Sequence, residues 1–395
     1  MAATHTSEQV PLKLLINNET NSVIFAEAGK DFVDVLFSFL TFPIGTIARL
    51  VRKESDMKPV RVGCISSLYE SVESLDKECP YKELLVRPRN SSNHYCKRLK
   101  LNIDDTEPNL FNSPFAYYDC PKIYDNICKG FVKASETFII TNDLIFMPTS
   151  LDTAIDMLLN CGIKTISSVQ KVTVNVTKEK VLDLLKFFLL SKSTLTDLFL
   201  EKKPFLEWSC FSACGVANNS SMSIKTEVKL VMRESDGRVL FAQGEQEFVE
   251  FILSFLILPL GKAACMLGGN SSLGCVVGMY KSIVDLDENK YFMSEEMKNR
   301  LVNAEVAPLF LSRSPSYVPG TTIFNITDEL LVVPVSQNST VSLPINLKTP
   351  LNDLKEKIVT IGVKEGLSIL KASLTSKSAL TNGLSHLLNE TELEK

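Results

Sequence analysis

The sequence feature that most constrains the fold is an internal repeat. Residues 12–48, LKLLINNETNSVIFAEAGKDFVDVLFSFLTFPIGTIA, align without a gap with VKLVMRESDGRVLFAQGEQEFVEFILSFLILPLGKAA, which begins 216 positions later. The identical pairs include Phe25/Phe241, Phe32/Phe248, Pro43/Pro259 and Gly45/Gly261. A repeat of this length predicts two copies of one structural unit.

Shorter blocks recur later in both halves and in the same order. Gly63-Cys64 returns as Gly274-Cys275, and FIITNDLIFMP from Phe138 returns as FNITDELLVVP from Phe324. The segment Ser191-Lys-Ser-x-Leu-Thr196 returns as Ser376-Lys-Ser-x-Leu-Thr381. Because chance similarity would not preserve the order of the blocks, we interpret the chain as a tandem duplication.

Each unit is predicted to open with a β-hairpin followed by a buried helix. Apolar residues alternate over 12–16 and 23–26, and the turn-forming run 17–21 separates them. In the second unit the turn contains Asp236-Gly237, a pair that favours tight hairpin turns. The dense apolar run from Phe32 to Leu40 predicts a buried helix that ends near Pro43.

The end of each unit adds further strands and helices. In the first unit the pattern predicts a strand at 144–147, a short helix at 153–159, a strand at 172–176 and a helix at 178–190. The same order is traced in the second unit over 330–333, 351–355, 358–363 and 366–374. Strands and helices in this order predict an α+β fold, built as a duplicated module.

These patterns also predict the domain boundaries. The predicted parts are a flexible N-terminal tail at 1–10, a first unit at 11–205 with a Cys-containing insertion around 77–130, a connecting segment at 206–223, a second unit at 224–388 and a polar C-terminal tail at 389–395.

Composition limits the class of partner. With 42 Lys+Arg against 46 Asp+Glu in 395 residues, the net charge of -4 is too small to favour nucleic acid or an anionic membrane. Basic residues are locally frequent from Arg49 to Lys100, but acidic residues interrupt them, and a solvated mixed-charge face is the preferred interpretation. The apolar segment 248–267 contains Glu250, Lys262 and a Pro-x-Gly break, so we expect a buried helix and no membrane insertion.

The first residues lack the pattern of a secretory or organellar signal, so the predicted compartment is the cytosol, with the nucleus as the alternative. The ten cysteines are then expected to be reduced thiols. Cys64 and Cys275 occupy equivalent positions and lack a nearby base, which favours a packing role. The repeated Ser-Lys-Ser-x-Leu-Thr segment follows an amphipathic helix and favours a cap or turn.

The sequence contains few residues that could perform catalysis. Its three histidines lie outside the known nucleophile, zinc-protease and kinase motifs, and neither a G-x-S-x-G nor a strand-linked G-x-G-x-x-G motif is present. The insertion supplies weak candidates for a structural zinc site: Cys79, Cys96, Cys120, Cys128 and His94. The cysteine pairs are spaced more widely than in a zinc knuckle, so the preferred expectation is no cofactor.

Several blocks resemble one known family. The opening segment, then CISSLYESVESL, LNIDD, FIITNDLIFMP and LLKFFLLSKSTLTDLFL, resemble the plant family catalogued as domain of unknown function 674. The resemblance covers nearly the whole chain and implies the same tandem arrangement. It implies no activity, substrate or cofactor. Members often show closer cysteine pairs in the insertion, and this chain departs from that pattern.

Two functional hypotheses follow. The favoured one is a non-enzymatic interaction or scaffold protein that presents two related modules to a protein partner, because no catalytic constellation is repeated. The alternative is an enzyme or zinc-dependent binding module that uses the insertion, where cysteines, His94 and the pair Asp104-Asp105 gather.

Overall fold

The structure is a computed structural model that describes residues 8–75, 81–106, 130–201, 225–268, 273–306, 317–318, 323–335 and 349–389. The predicted connecting segment 206–223 therefore lies outside the described residues, as do half of the insertion and most of the two tails. Within the described ranges, no helix is both long enough and apolar enough to cross a bilayer.

The first unit contains a mixed set of strands and helices. Its strands are β1 (Val10–Asn17), β2 (Ser22–Gly29), β3 (Thr137–Thr141), β4 (Phe146–Pro148) and β5 (Val169–Val176). Its helices are α1 (Lys30–Ser38), α2 (Ile44–Val51), α3 (Ile65–Ser74), α4 (Lys82–Val86), α5 (Asn93–Cys96), α6 (Leu151–Asn160), α7 (Lys178–Leu190) and α8 (Thr194–Phe199).

The second unit repeats this plan. Its strands are β6 (Thr226–Arg233), β7 (Val239–Gly244), β8 (Phe324–Thr327), β9 (Val332–Pro334) and β10 (Leu354–Ile361). Its described helices are α9 (Gln246–Leu253), α10 (Leu260–Met266), α11 (Gly274–Asp285), α12 (Glu288–Tyr291), α13 (Glu295–Val302), α14 (Val363–Thr375), α15 (Ala379–Gly383) and α16 (Ser385–Asn389).

The two sheets have the same topology. The antiparallel orders are β4-β3-β2-β1-β5 and β10-β6-β7-β8-β9, so β5 and β10 are equivalent edge strands. Even the irregularity of the hairpin is repeated, since the register shifts after Leu15 in β1 and after Val231 in β6. The duplicated α+β module predicted from the sequence is confirmed.

The local predictions are mostly confirmed. Each hairpin is followed by a largely buried helix, α1 or α9, and a single 3-10 turn precedes Pro43 or Pro259. Leu144 is an exception, because it lies in the turn between β3 and β4 with φ 61° and the strand begins only at Phe146. Leu330 has the same φ at the equivalent turn. The short helix expected at 351–355 is one 3-10 turn, Leu351–Asp353, because β10 begins at Leu354 and pairs with β6.

The two units meet at an approximate two-fold axis. Pro43 and Pro259, which are equivalent, face each other in an antiparallel bridge. The amide of Ile44 donates to the carbonyl of Leu258, and the amide of Leu260 donates to the carbonyl of Phe42, each at 2.9 Å. One continuous cluster of buried apolar side chains runs through both units. The units therefore share a core rather than folding around two separate ones.

Helices also cross between the units. Helix α3 of the first unit contacts β9 of the second, and α11 of the second contacts β4 and α7 of the first. The hydroxyl of Ser282 on α11 accepts a hydrogen bond from the amide of Phe146 at 3.0 Å. Each sheet is thus partly covered by a helix from the other half of the chain.

Candidate functional site

The candidate zinc ligands lie in different environments. Cys96 on α5 is fully buried, and its Sγ lies 3.6 Å from Thr41 Oγ1 and 3.8 Å from Asn90 Nδ2. Burial raises the pKa of this thiol to about 12, which disfavours the thiolate that a metal requires. His94 is exposed and packs edge-on against Tyr95. Cys79, Cys120 and Cys128 lie outside the described residues. The described ranges contain no group of three His, Cys, Asp or Glu residues placed to hold a metal.

The pair Asp104-Asp105 of the insertion is held in place by hydrogen bonds and ion pairs. Asp104 is buried and accepts a hydrogen bond from the amide of Thr106 at 3.0 Å. Asp105 forms ion pairs with Arg49 and Lys53. Partial burial opposes ionisation of Asp105, but the hydrogen bonds from the two cations prevail and lower its pKa to about 2. A carboxylate with so low a pKa is a poor proton acceptor near neutral pH.

Other basic residues of the predicted mixed-charge face are paired with acids in the same way. The bridges join Arg52 to Glu73, Arg61 to Glu70 and Lys100 to Asp31. The face from Arg49 to Lys100 therefore carries interleaved charges, with much of its positive charge balanced locally.

The repeated cysteine and the repeated serine segment form one motif across the unit interface. Cys64 Sγ lies 3.1 Å from the carbonyl oxygen of Ser376, and Cys275 Sγ lies 3.2 Å from that of Ser191. Both thiols are buried, and desolvation raises their pKa values to about 12 for Cys64 and about 11 for Cys275. Each cysteine of one unit thus binds the helix end of the other.

The threonine that closes the repeated serine segment anchors the bulge of each hairpin. Thr196 Oγ1 accepts from the amide of Val23, and Thr381 Oγ1 accepts from the amide of Val239, both at 2.9 Å. The backbone amides of these threonines donate to the equivalent side chains Asn142 and Asp328, both at 2.8 Å. These contacts account for the recurrence of the segment without a catalytic role.

A buried lysine on α7 was missed by the sequence analysis. Lys186 has no exposed side-chain surface, and its Nζ lies 3.5 Å from Asp183 Oδ1, 2.5 Å from Ser55 Oγ and 2.9 Å from the carbonyl oxygen of Met57. Burial lowers the pKa of Lys186, and Asp183 counteracts this. The available signal was a lysine flanked by Leu184, Leu185, Phe187 and Phe188.

The Ser55–Lys186 contact resembles the dyads that some hydrolases use, but its surroundings differ. Ser55 Oγ also donates to Asp183 Oδ1 at 2.5 Å, and the backbone amide of Met57 donates to the same oxygen at 3.2 Å. Lys186 lies beneath this loop with all of its side chain covered. The arrangement therefore holds the loop 52–58 against α7 and leaves no room for a substrate beside the lysine.

A polar cleft separates the insertion of the first unit from α13 of the second. Its volume is about 390 Å³, and Ser91 and Ser92 form one wall. Residues of α13 and the segment after it form the other wall: Glu296, Asn299, Arg300, Asn303 and Glu305. Arg300 donates to Glu296 Oε1 at 2.6 and 3.0 Å and stacks on the ring of Tyr95 at 4.7 Å. The arginine thereby joins the two walls at one end of the cleft.

An apolar stripe lies on the outer surface of the first unit. Helix α6 packs Ala154, Met157 and Leu158 on the small cluster of Ile24, Phe25, Ile139 and Ile163, on the side of the sheet away from the main core. Beside this packed face, Leu151, Ile155 and Leu159 of α6 are 76%, 44% and 64% exposed. Ile166, a few residues later, is 84% exposed. Exposed apolar side chains grouped in this way usually mark a binding surface.

Comparison with known proteins identifies one family. The family described as "Protein of unknown function (DUF674)" matches residues 6–131, 129–317 and 311–394, which together span nearly the whole chain. No curated protein and no solved structure matches this chain.

Proposed function

We propose that this chain, which belongs to the DUF674 family, acts as a protein-binding module and not as an enzyme. The observation that supports the proposal is the stripe of Leu151, Ile155 and Leu159 on the exposed side of α6. These residues are spaced by four, so they lie along one face of the helix. The neighbouring face, with Ala154, Met157 and Leu158, packs on the sheet, and the stripe beside it stays exposed and available to a partner.

The charges beside the stripe define the partner. Asp152 and Asp156 are exposed, and α6 contains neither lysine nor arginine. Lys164, the nearest basic residue in the chain, lies beyond the end of the helix. A matching partner segment is an amphipathic helix whose apolar residues are flanked by lysine or arginine.

The same charges disfavour two other occupants. A second copy bound through α6 would bring the aspartates of the two helices together, and like charges in a contact are unfavourable. An anionic membrane surface attracts helices with lysine and arginine on their polar face, whereas α6 carries only acids there. A basic protein segment is therefore the occupant that we propose.

The test compares partner capture by matched variants. Leu151→Gln/Leu159→Gln removes the stripe and keeps residues that favour a helix. Leu351→Gln in the second unit is the control, because Leu351 is 79% exposed and lies outside α6. Tagged full-length proteins are incubated with nuclease-treated extract of the source organism, and retained proteins are identified by mass spectrometry.

Support requires a protein that the wild type and the control retain and the stripe variant loses. A synthetic peptide from its basic amphipathic segment must then bind the wild type at least tenfold more tightly than the stripe variant. Equal retention by all three proteins, binding only to anionic vesicles, or self-association that the stripe variant abolishes would each contradict the proposal.

The alternative of a zinc-dependent module stays a prediction for Cys79, Cys96, Cys120, Cys128 and His94. No observation among the described residues favours it, and the buried Cys96 thiol is a poor starting point for a ligand. Metal analysis of protein purified without chelators tests this alternative directly. One zinc per chain, lost together in Cys120→Ser and Cys128→Ser variants, would support it, and well under one zinc would contradict it.

A further inference from the structure

The polar cleft between the two units has features of a small-molecule site. Its volume of about 390 Å³ lies within the range of about 300–1,000 Å³ that small-molecule pockets occupy. Both units contribute to its walls, and a junction between two packed units is a common place for such sites. None of its residues belongs to α6, so this inference is independent of the proposed protein-binding role.

Ser92 is an unpartnered polar residue in the wall of the cleft. The residue is only 1% exposed, and its hydroxyl has no hydrogen-bond partner among the described residues. It stands at the N-terminal cap of α5 without forming the side-chain hydrogen bond typical of that position. A buried hydroxyl that lacks a partner is unfavourable, and because Ser92 lines the cleft, a ligand there can supply the missing hydrogen bond.

The opposite wall presents two carboxamides. Asn299 and Asn303 are exposed, lie one helical turn apart and form no side-chain hydrogen bond within the described ranges. Each carboxamide offers donors and an acceptor side by side. Neighbouring hydroxyl groups of a sugar also offer a donor and an acceptor each, so two such amides can bind them in pairs.

The charges of the cleft favour a neutral ligand. Arg300 is already paired with Glu296 and stacked on Tyr95, so its charge is largely compensated. The remaining charged group of the lining is Glu305, which accepts hydrogen bonds and repels anions. A phosphate or carboxylate ligand would therefore find no unpaired cation among the lining residues.

We infer that this cleft binds a small neutral polyhydroxylated ligand of the sugar class, held by Ser92 from one unit and by Asn299 and Asn303 from the other. Because the ligand contacts both units, binding stabilises their packing as well as occupying the cleft.

Saturation-transfer NMR on the full-length protein tests the inference. The probes are glucose, sucrose and myo-inositol, with glucose 6-phosphate as the anionic comparison. We expect at least one neutral probe to receive saturation and to raise the melting temperature, and the phosphate to bind more weakly than glucose. Asn299→Ala/Asn303→Ala should weaken the binding of that probe at least tenfold.

The control is Asn289→Ala, which removes an exposed carboxamide from α12 outside the cleft. It should bind like the wild type. Circular dichroism confirms that each variant is folded before binding is compared. Lack of saturation transfer to every neutral probe, unchanged binding in the double variant, or tighter binding of glucose 6-phosphate would overturn the inference.

Discussion

The two units repeat the same residues at the centre of their contact, whereas equivalent positions on some of their helices and turns carry different side chains. Around the approximate axis, Pro43 matches Pro259, and each unit donates one backbone hydrogen bond to the other. Cys64 and Cys275 likewise make reciprocal contacts with Ser376 and Ser191. The contact between the units therefore accounts for part of the similarity between them, and the hairpin anchors Thr196 and Thr381 inside each unit account for another part.

The divergence is clearest on the equivalent helices α7 and α14. Lys186 and Lys371 occupy matching positions, but Lys186 is buried against Asp183 whereas Lys371 is partly exposed and has Ser368 in place of the aspartate. A second difference lies at the hairpin anchor. Asn142 is neutral, whereas its equivalent Asp328 forms an ion pair with Arg238 at 3.2 Å. The residue of the first unit that is equivalent to Arg238 is Ser22.

The largest expected effect is a difference in the free energy of unfolding between variants of Lys186 and Lys371. Lys186→Met leaves Asp183 buried without its cation and should lower the free energy of unfolding by about 3 kcal/mol. Lys371→Met should change it by less than about 0.5 kcal/mol. Urea unfolding monitored by circular dichroism measures both. The double variant Asp183→Ser/Lys186→Met removes both buried charges together and should recover most of the loss. Equal losses for the two single variants would show that the units do not differ here.

The next effect tests the symmetry at the axis. A Cβ at Gly45 would lie 2.9 Å from the carbonyl oxygens of Leu256 and Leu85, and one at Gly261 would lie 2.7 Å from that of Leu301 and 3.0 Å from that of Leu40. Gly45→Ala and Gly261→Ala should each destabilise the protein by about 2 kcal/mol, because backbone oxygens must move.

Gly274→Ala is the control for the two axial glycines, since a Cβ there meets no heavy atom within 4 Å. The same urea titration should show it to be neutral or slightly stabilising. If only one of Gly45→Ala and Gly261→Ala destabilised the protein, the proposed equivalence of the two units at the axis would be contradicted.

A smaller effect concerns the two reciprocal thiols. Cys64→Ala and Cys275→Ala should each cost about 1 kcal/mol, since each removes a buried sulfur and a weak hydrogen bond. Because their pKa values are raised, both thiols should also resist alkylation by iodoacetamide at pH 8 until urea unfolds the protein. Peptide mapping by mass spectrometry follows this, with the exposed Cys161 as the reactive control. Rapid labelling of either thiol in the native protein would contradict the buried contact.

The smallest effect is a difference in pH dependence. Burial raises the pKa of Asp328 above 3.8, with Thr381 and Arg238 acting in the opposite direction. A raised folded-state pKa means that the stability contributed by the protonated form is present below pH 3.8 and is lost as the pH rises through the folded-state pKa. Asp328→Asn/Arg238→Ser, which copies Asn142 and Ser22, should remove this dependence and change stability at pH 7 by less than about 1 kcal/mol.

The matched opposite change is Asn142→Asp, which introduces the titration into the first unit without an arginine. Unfolding measured from pH 3 to pH 7 should become steeper in this variant and flatter in the double variant. If Asn142→Asp and Asp328→Asn/Arg238→Ser showed the same dependence of stability on pH, the hairpin anchors of the two units would not differ in titration.

The sequence alone predicted much of the module but not how the modules meet. Repeated blocks and the change from period-two alternation to a dense apolar run were enough for the hairpin and the buried helix. The prediction of a strand at Leu144 was wrong, because the apolar pattern does not reveal that this leucine has a positive φ and lies in a turn. Reciprocal packing was also hidden, since an apolar residue such as Phe42 has the same pattern whether it faces its own unit or the other one.

The candidate sites were harder to predict for a related reason. The helix at α6 was expected, yet helical spacing does not distinguish a stripe that faces solvent from one that faces a core. The cleft joins Ser92 with residues more than 200 positions later, and no local motif links them. The insertion was singled out as the place where the units differ most, and its described part contributes Ser91 and Ser92 to the cleft.

The paired backbone bonds at Pro43 and Pro259 also constrain how the chain can be made. The amide of Ile44 can donate its hydrogen bond to Leu258 only after Leu258 has been synthesised. At about 5–20 residues per second, the ribosome needs about 10–40 s to synthesise the intervening chain. During that interval the first half carries an exposed apolar face that only the second half covers. The nascent protein should therefore depend on chaperones until its last third emerges, and truncation before Leu258 should yield an aggregating fragment instead of a smaller folded protein.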